Sequence, residues 1–231
     1  MKIHGFQKLT LLDFPEHVAA TVFTAGCNLR CPFCHNALLV TDIQAGDAID
    51  EEEVLSYLAK RKGLLDGVAI TGGEPMLQPD LMDFIRKLRA LGYAVKLDTN
   101  GCYPDKLRAI LSEKLVDYVA MDVKNSPAKY ADTVGIPAFD LSPVRESVQL
   151  IMSSGIDYEF RTTVVGEFHT AEDIVEIAEW LRGARHYYLQ NFVDSGGLIG
   201  ENLHPAKRED LFAMRDAAAE IIPSTALRGV D

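Results

Sequence analysis

The chain is poor in cysteine, in tryptophan and in positive charge, and each shortage narrows its chemistry. Of 231 residues only four are Cys and one is Trp. So few cysteines cannot staple a domain of this length, and three of them fall within residues 27–34. They therefore read as a metal site in a reducing compartment before they read as disulfides. Lys and Arg number 23 against 34 Asp and Glu, a formal charge of −11. That balance argues against a phosphate-binding surface as the main purpose, and no nucleic-acid partner is expected. No run approaches the roughly 18 apolar residues of a membrane span, and Met1-Lys2-Ile3-His4-Gly5-Phe6-Gln7-Lys8 lacks the continuous apolar stretch of an export signal. A cytoplasmic protein with no membrane partner is expected. Internal repeats, low-complexity tracts and Pro/Ser-rich linkers are also missing, so a single domain over 1–231 is the expected organisation.

What is present is an alternation of strand-like and helix-like segments. Runs rich in β-branched and aromatic residues predict strands at His17 to Thr24, Gly67 to Thr71, Ala94 to Asp98, Tyr118 to Val123, Tyr158 to Val164 and His186 to Asn191. Apolar residues at helical spacing predict helices at Asp50 to Arg61, Pro79 to Leu91, Pro104 to Ser112, Ser142 to Ser153, Thr170 to Leu181 and Pro205 to Ile221. Glu51, Glu52 and Glu53 follow Asp50, where exposed amides favour negative charge, and Thr170 with Asp173 has the form of a capping box. Repeated βα units imply a parallel sheet. Six units fall short of the eight that close a TIM barrel, so the expected fold is α/β, a partial (β/α)6 TIM-like barrel with an open side. The stretch from Pro127 to Pro143 is the one candidate for a long irregular connection.

The chemistry concentrates in Gly26-Cys27-Asn28-Leu29-Arg30-Cys31-Pro32-Phe33-Cys34-His35-Asn36. Cys27, Cys31 and Cys34 are enough to hold three irons of a [4Fe–4S] cube, leaving the fourth iron for a ligand from outside the protein. Two other readings stand beside this one. Cys31-Pro32-Phe33-Cys34-His35 matches the CxxCH attachment site of c-type haem, which would require export and leave Cys27 without a role. Structural zinc on three cysteines and a histidine would need a ligand immediately after Cys34, which is strained, and no second knuckle exists.

Further conspicuous sequences end the predicted strands: Thr71-Gly72-Gly73-Glu74-Pro75, Asp98-Thr99-Asn100-Gly101 and Met121-Asp122-Val123-Lys124. In α/β barrels that end of the strands is where sites are assembled. Each residue also has a plainer role available. Glu74 could be a solvated loop carboxylate, Asp98 and Asp122 could cap helices, and Lys124 and Arg161 could be ion-pair residues.

On Cys27, Cys31, Phe33 and Cys34, with Gly72-Gly73-Glu74-Pro75 some forty residues on, the chain resembles the radical S-adenosylmethionine (SAM) superfamily. The resemblance implies a [4Fe–4S] cluster whose open iron is chelated by the amino and carboxylate groups of SAM. Reductive cleavage of SAM would then give a 5′-deoxyadenosyl radical. It also implies that Gly72 and Gly73 let the backbone approach the methionyl amine and that Glu74 balances its charge.

A narrower resemblance spans nearly the whole chain. Gly5-Phe6-Gln7-Lys8, Asp13-Phe14-Pro15, Cys34-His35-Asn36, Lys96-Leu97-Asp98-Thr99-Asn100-Gly101, Met121-Asp122-Val123-Lys124 and Tyr158-Glu159-Phe160-Arg161-Thr162-Thr163 resemble activating enzymes of glycyl-radical proteins, in the branch usually named anaerobic ribonucleoside-triphosphate reductase activating protein. By that resemblance Asp98, Thr99 and Asp122 would hold a monovalent cation beside the SAM carboxylate, with Asn100 in the same motif. Lys124 would stand near the SAM or peptide end as the candidate catalytic residue, and Arg161 would face the SAM carboxylate or ribose. The implied partners are a glycyl-radical protein and a flavodoxin- or ferredoxin-type electron donor. No further cysteine cluster is present, so one cluster is expected.

His35 and Asn36 are as well suited to satisfying backbone groups of the cysteine loop as to chemistry, and Cys102 reads as a buried inert thiol. His169, His186 and His204 have no ligand spacing, and the loop with Gly196, Gly197 and Gly200 is expected to border the open side. The leading expectation is an activase that abstracts a glycine α-hydrogen from a partner. The others are a radical enzyme acting on a small molecule, like 7-carboxy-7-deazaguanine synthase, and an iron–sulfur electron carrier.

Overall fold

The computed structural model describes residues 1–43, 48–194 and 196–230. Eight strands form one sheet in the order of the chain: β1 (Gly5–Thr10), β2 (Ala19–Thr24), β3 (Gly67–Gly72), β4 (Ala94–Thr99), β5 (Tyr118–Asp122), β6 (Asp157–Val164), β7 (Tyr187–Asn191) and β8 (Thr225–Arg228). From β2 to β8 every neighbour is parallel, whereas β1 pairs antiparallel with β2, Gly5 opposite Phe23. No pairing closes β8 onto β1 among the described residues, so the barrel is partial and open. All six predicted strands are present; β1 and β8 are additions to the expected six.

The two faces of the sheet differ. On β4, Val95 and Leu97 are fully buried, while Lys96 and Asp98 face a central cavity. On β6, Tyr158, Phe160 and Val164 are buried, while Glu159, Arg161 and Thr163 line that cavity. This is the period-two alternation of a strand, but the hydrophobic side is the outer one. The core therefore lies between sheet and helices, and the concave face is polar.

The helices supply the other half of that core. They are α1 (Leu38–Thr41), α2 (Glu51–Lys60), α3 (Leu81–Ala90), α4 (Pro104–Ser112), α5 (Tyr130–Val134), α6 (Ser142–Ser153), α7 (Ala171–Trp180) and α8 (Arg208–Ala219). On α3, Leu81, Phe84, Ile85 and Leu88 are buried, the i, i+3, i+4, i+7 stripe of a helix lying on a sheet. The Thr170–Asp173 capping box forms in full, the Asp173 N–H donating to Thr170 Oγ1 and the Thr170 N–H to Asp173 Oδ2. Asp50 makes no side-chain cap, and the α2 start is left to the three glutamates of its first turn. The 127–143 stretch, expected to be irregular, contains α5, which stops at Gly135 in the left-handed conformation with φ 67°. No helix among the described residues is long and apolar enough to cross a membrane.

Candidate active site

All the predicted site residues except Glu74 line one cavity of about 840 Å³. It takes side chains from β2 through β8, which only a curled sheet permits. Its size is in the range of small-molecule and cofactor sites.

The cysteine loop runs from β2 to α1. Cys27, Cys31 and Cys34 are free thiols on the cavity wall, Cys31 buried and the other two half-buried. Burial pushes the Cys31 thiol up to about 12 and that of Cys27 up as well, so a metal would have to displace protons on binding. Among the described residues no three His, Cys, Asp or Glu side chains converge as a single ion requires. A four-iron cube, with each thiolate on a different iron, asks for sulfurs spread along one wall. The donor set therefore fits the cube better than mononuclear zinc. The Leu29 N–H lies 3.4 Å and Asn100 Nδ2 3.8 Å from Cys27 Sγ, so both can donate to a thiolate there. Phe33 packs against the rings of Phe168 and His169, which seals the loop from below. His35, exposed, stacks on Phe192, and Asn36 donates to the Gly72 carbonyl at 2.9 Å; both act on the loop's own packing.

Two glycines bring β3 against this loop. A Cβ on Gly73 would lie 2.0 Å from the Gly26 carbonyl oxygen, and one on Gly72 would lie 2.3 Å from that of Thr24. Gly72 also sits at φ 113°, which favours glycine. In this structure the glycines are required for the close approach of two chain segments, whatever they do for a ligand.

Glu74 does not line the cavity. It is fully buried, with Oε1 accepting from the Met76 N–H and the Thr99 hydroxyl at 3.0 Å each, and Oε2 from the Asn100 N–H at 2.7 Å. Burial outweighs these donors and pushes its carboxyl up to about 7. Rather than a solvated loop carboxylate, Glu74 is a strut between the 3-10 turn Pro75–Leu77 and the β4 end. Lys106, on α4, reaches the same turn, donating to the Met76 and Gln78 carbonyls.

Across the concave face runs a chain of charges. Lys96 pairs with Asp98, Arg161 bridges Asp98 and Asp122, and Lys124 pairs with Asp122 at 3.0 Å. Arg228, on β8, holds the buried Glu159 through two bonds of 2.7 Å while stacking over the Tyr188 ring. Burial alone would raise the carboxyls of Asp98 and Asp122, but Arg161 with the two lysines outweighs it and holds both below the usual range. The same carboxylates raise Lys124 and Arg161 against the effect of burial. Sequence reasoning missed Lys96, Glu159 and Arg228 as members of the site. The first two are two positions from Asp98 and Arg161 and so share their faces, a signal that strand alternation offered. Arg228 lies on a strand that was not expected at all.

Residues 21–181 match the Radical SAM superfamily. The chain is 29% identical over 236 residues to a protein of Methanocaldococcus jannaschii provisionally named a glycyl-radical enzyme activating enzyme, covering 99% of this chain and 96% of that one. It is 33% identical over 129 residues to the pyruvate formate-lyase-activating enzyme of Clostridium pasteurianum, 54% of this chain and 52% of that protein. Among solved structures, Streptococcus suis SuiB bound to S-adenosylmethionine superposes with a TM-score of 0.72 at 16% identity, over 89% of this chain and 49% of that one. The chain thus spans about half the length of SuiB.

Proposed function

Because the chain belongs to the radical SAM superfamily, we propose that it is an activase that installs a radical on a glycine of a partner protein, the partner being anaerobic ribonucleoside-triphosphate reductase. The observation that carries the activase reading is the end-to-end match to the Methanocaldococcus jannaschii protein provisionally named a glycyl-radical enzyme activating enzyme; the choice of the reductase as partner rests on the motif resemblance of the sequence alone. The open side between β1 and β8 supports it, since a polypeptide loop needs a wider entrance than a small molecule. The reducing cytoplasm suits its free thiols.

Cys27, Cys31 and Cys34 would hold a [4Fe–4S] cluster, and the Gly72–Gly73 backbone with Arg161 would hold the amino-acid end of SAM. When bound and given one electron by a flavodoxin- or ferredoxin-type donor, that pair would supply 5′-deoxyadenosyl radical chemistry, with methionine as the other product. The chain's own residues bind, orient and exclude water. Leu29 and Asn100 donate toward Cys27 and stabilise the charge a thiolate ligand carries. Phe33, Phe168 and His169 keep the inner side of the loop dry. Glu74 ties Thr99 and Asn100 to the glycine turn, so that strand ends β3 and β4 move as one unit. Lys124, its ammonium fixed by Asp122, is placed to hold a backbone carbonyl of the incoming glycine loop.

The test is anaerobic reconstitution with iron and sulfide, reduction with dithionite in the presence of SAM, and assay of 5′-deoxyadenosine and methionine. Both products are expected from the wild type and neither from Cys31→Ala. Addition of the reductase should give a glycyl doublet in the electron paramagnetic resonance spectrum. Cleavage retained in Cys31→Ala would defeat the cluster assignment. Turnover of a small molecule with no glycyl radical on any partner would defeat the activase reading.

A further inference from the structure

The resemblance that assigns Asp98, Thr99 and Asp122 to a monovalent cation meets donor atoms that are already committed. Asp98 Oδ1 receives Lys96 Nζ; Asp98 Oδ2 receives Arg161 Nη1 and Nη2 at 3.3 Å and Thr71 Oγ1 at 3.1 Å. Asp122 Oδ1 receives Arg161 Nε at 2.9 Å, and Oδ2 receives Lys124 Nζ at 3.0 Å. Every oxygen of the carboxylate pair therefore has a cationic donor. The Thr99 hydroxyl donates to Glu74 and accepts from the Gly101 N–H, each at 3.0 Å.

A hard cation binds through several oxygen ligands. Here those lone pairs point at ammonium and guanidinium groups, and an ion between the carboxylates would sit against fixed positive charge. The charge balance leads the same way. The connected network has three carboxylates, Asp98, Asp122 and Glu159, and four cations, Lys96, Lys124, Arg161 and Arg228. Its surplus of one positive charge is matched by Asp13 on the same cavity wall, so no uncompensated negative charge is left for a further cation.

We propose that the Arg161 guanidinium, lying between Asp98 and Asp122, is a built-in replacement for the dissociable cation, so that this chain binds SAM without a group-1 ion. The proposal rests on the reading that the cavity takes SAM. An arginine is suited to the place, because its planar fork reaches two carboxylates at once and keeps its charge at every working pH.

The experiment uses the reconstituted, unreduced holoenzyme. SAM binding is measured by equilibrium dialysis in potassium nitrate and in choline nitrate at equal ionic strength, and thallous nitrate, which chloride would precipitate, serves as a spectroscopic stand-in for potassium in thallium magnetic resonance. The expected result is a Kd for SAM equal in the two salts within about twofold, with no saturable thallous site. Binding weaker by about tenfold in choline, or a saturable thallous site displaced by potassium, overturns the proposal. Arg161→Ala vacates the place, and in that variant potassium should recover SAM binding by about fivefold or more over choline. Because Arg161 also reaches SAM in the proposed site, the thallous titration decides on the variant: a folded variant with no saturable thallous site overturns the replacement role, and if the variant does not fold, the wild-type salt comparison decides. Should SAM bind in neither salt, the SAM reading of the cavity fails, and the thallous titration still decides whether the carboxylates hold a cation.

Discussion

Gly73→Ala is the sharpest perturbation the geometry offers. The added Cβ would fall 2.0 Å from the Gly26 carbonyl oxygen, 2.8 Å from its carbon and 3.2 Å from its nitrogen. All three are backbone atoms, so no side-chain rotation relieves the contact, and one of the two segments must retreat by about 1 Å to reach an ordinary separation. Retreat breaks what joins them: the Gly73 N–H bond to Thr24 O at 2.9 Å and the Glu74 N–H bond to Gly26 O at 2.7 Å. Two backbone bonds at about 1 kcal/mol each, with residual strain of about 1 kcal/mol, give a loss of about 3 kcal/mol. For a chain of this length that lowers the unfolding midpoint by about 6–12 °C. Scanning calorimetry of the metal-free protein reads the stability. Because Gly26 directly precedes Cys27, iron and sulfide content after reconstitution reads the displacement of the loop and should fall with it. A Gly73→Ala protein with a wild-type midpoint and a full complement of iron would refute the claim that backbone contact fixes the cysteine loop.

Two further outcomes follow from buried charge. Glu74 has its carboxyl raised to about 7 by burial, above the ordinary value of 4.5. The folded state then holds a proton that the unfolded state has released, so wild-type stability falls as pH rises from the unfolded value to the folded one. The loss is about 3 kcal/mol, complete above about pH 7 and absent below about pH 4.5. Measured as the stability difference between the wild type and Glu74→Gln in the metal-free protein, it should decline across that window; a flat difference refutes the shift. Arg228→Met leaves Glu159, 1% exposed, with the Tyr118 hydroxyl and a long contact to Arg161 among the described residues. Removal of one partner from such a pair costs about 3 kcal/mol or more, and denaturant unfolding should show it, with amide exchange fastest in β8.

Most of what surrounds the cavity was legible because strand patterning and chemical motif coincide in the chain. Thr71-Gly72-Gly73, Asp98-Thr99 and Met121-Asp122 each close a strand whose β-branched or apolar run announces it, so both the element and its functional end could be read together. The edges were not. β1 buries only Thr10 and its residues carry little apolar alternation, while β8 is four residues long and follows directly on a turn. Neither has the buried stripe from which periodicity is read. The direction of the Glu74 side chain was also hidden, because its partners, Thr99 at the end of another strand and Asn100 just past it, lie 25 and 26 residues away.

The two arginines explain why an open barrel can keep a polar interior. Arg161 on β6 reaches over β5 to Asp98 on β4, and Arg228 on β8 reaches over β7 to Glu159 on β6. Each guanidinium ties strands that are not neighbours in the sheet, and such a tie shortens only when the sheet curls. In a closed barrel, hydrogen bonding around the full circle fixes curvature and layers of apolar side chains fill the middle. Here the circle is incomplete, and charge-assisted bonds across the concave face take over part of that task. The same side chains that hold the sheet bent therefore line the cavity, next to the cysteine loop. Architecture and site share one set of charges, so a substitution at Arg161 acts on the shape of the cavity as well as on what it binds.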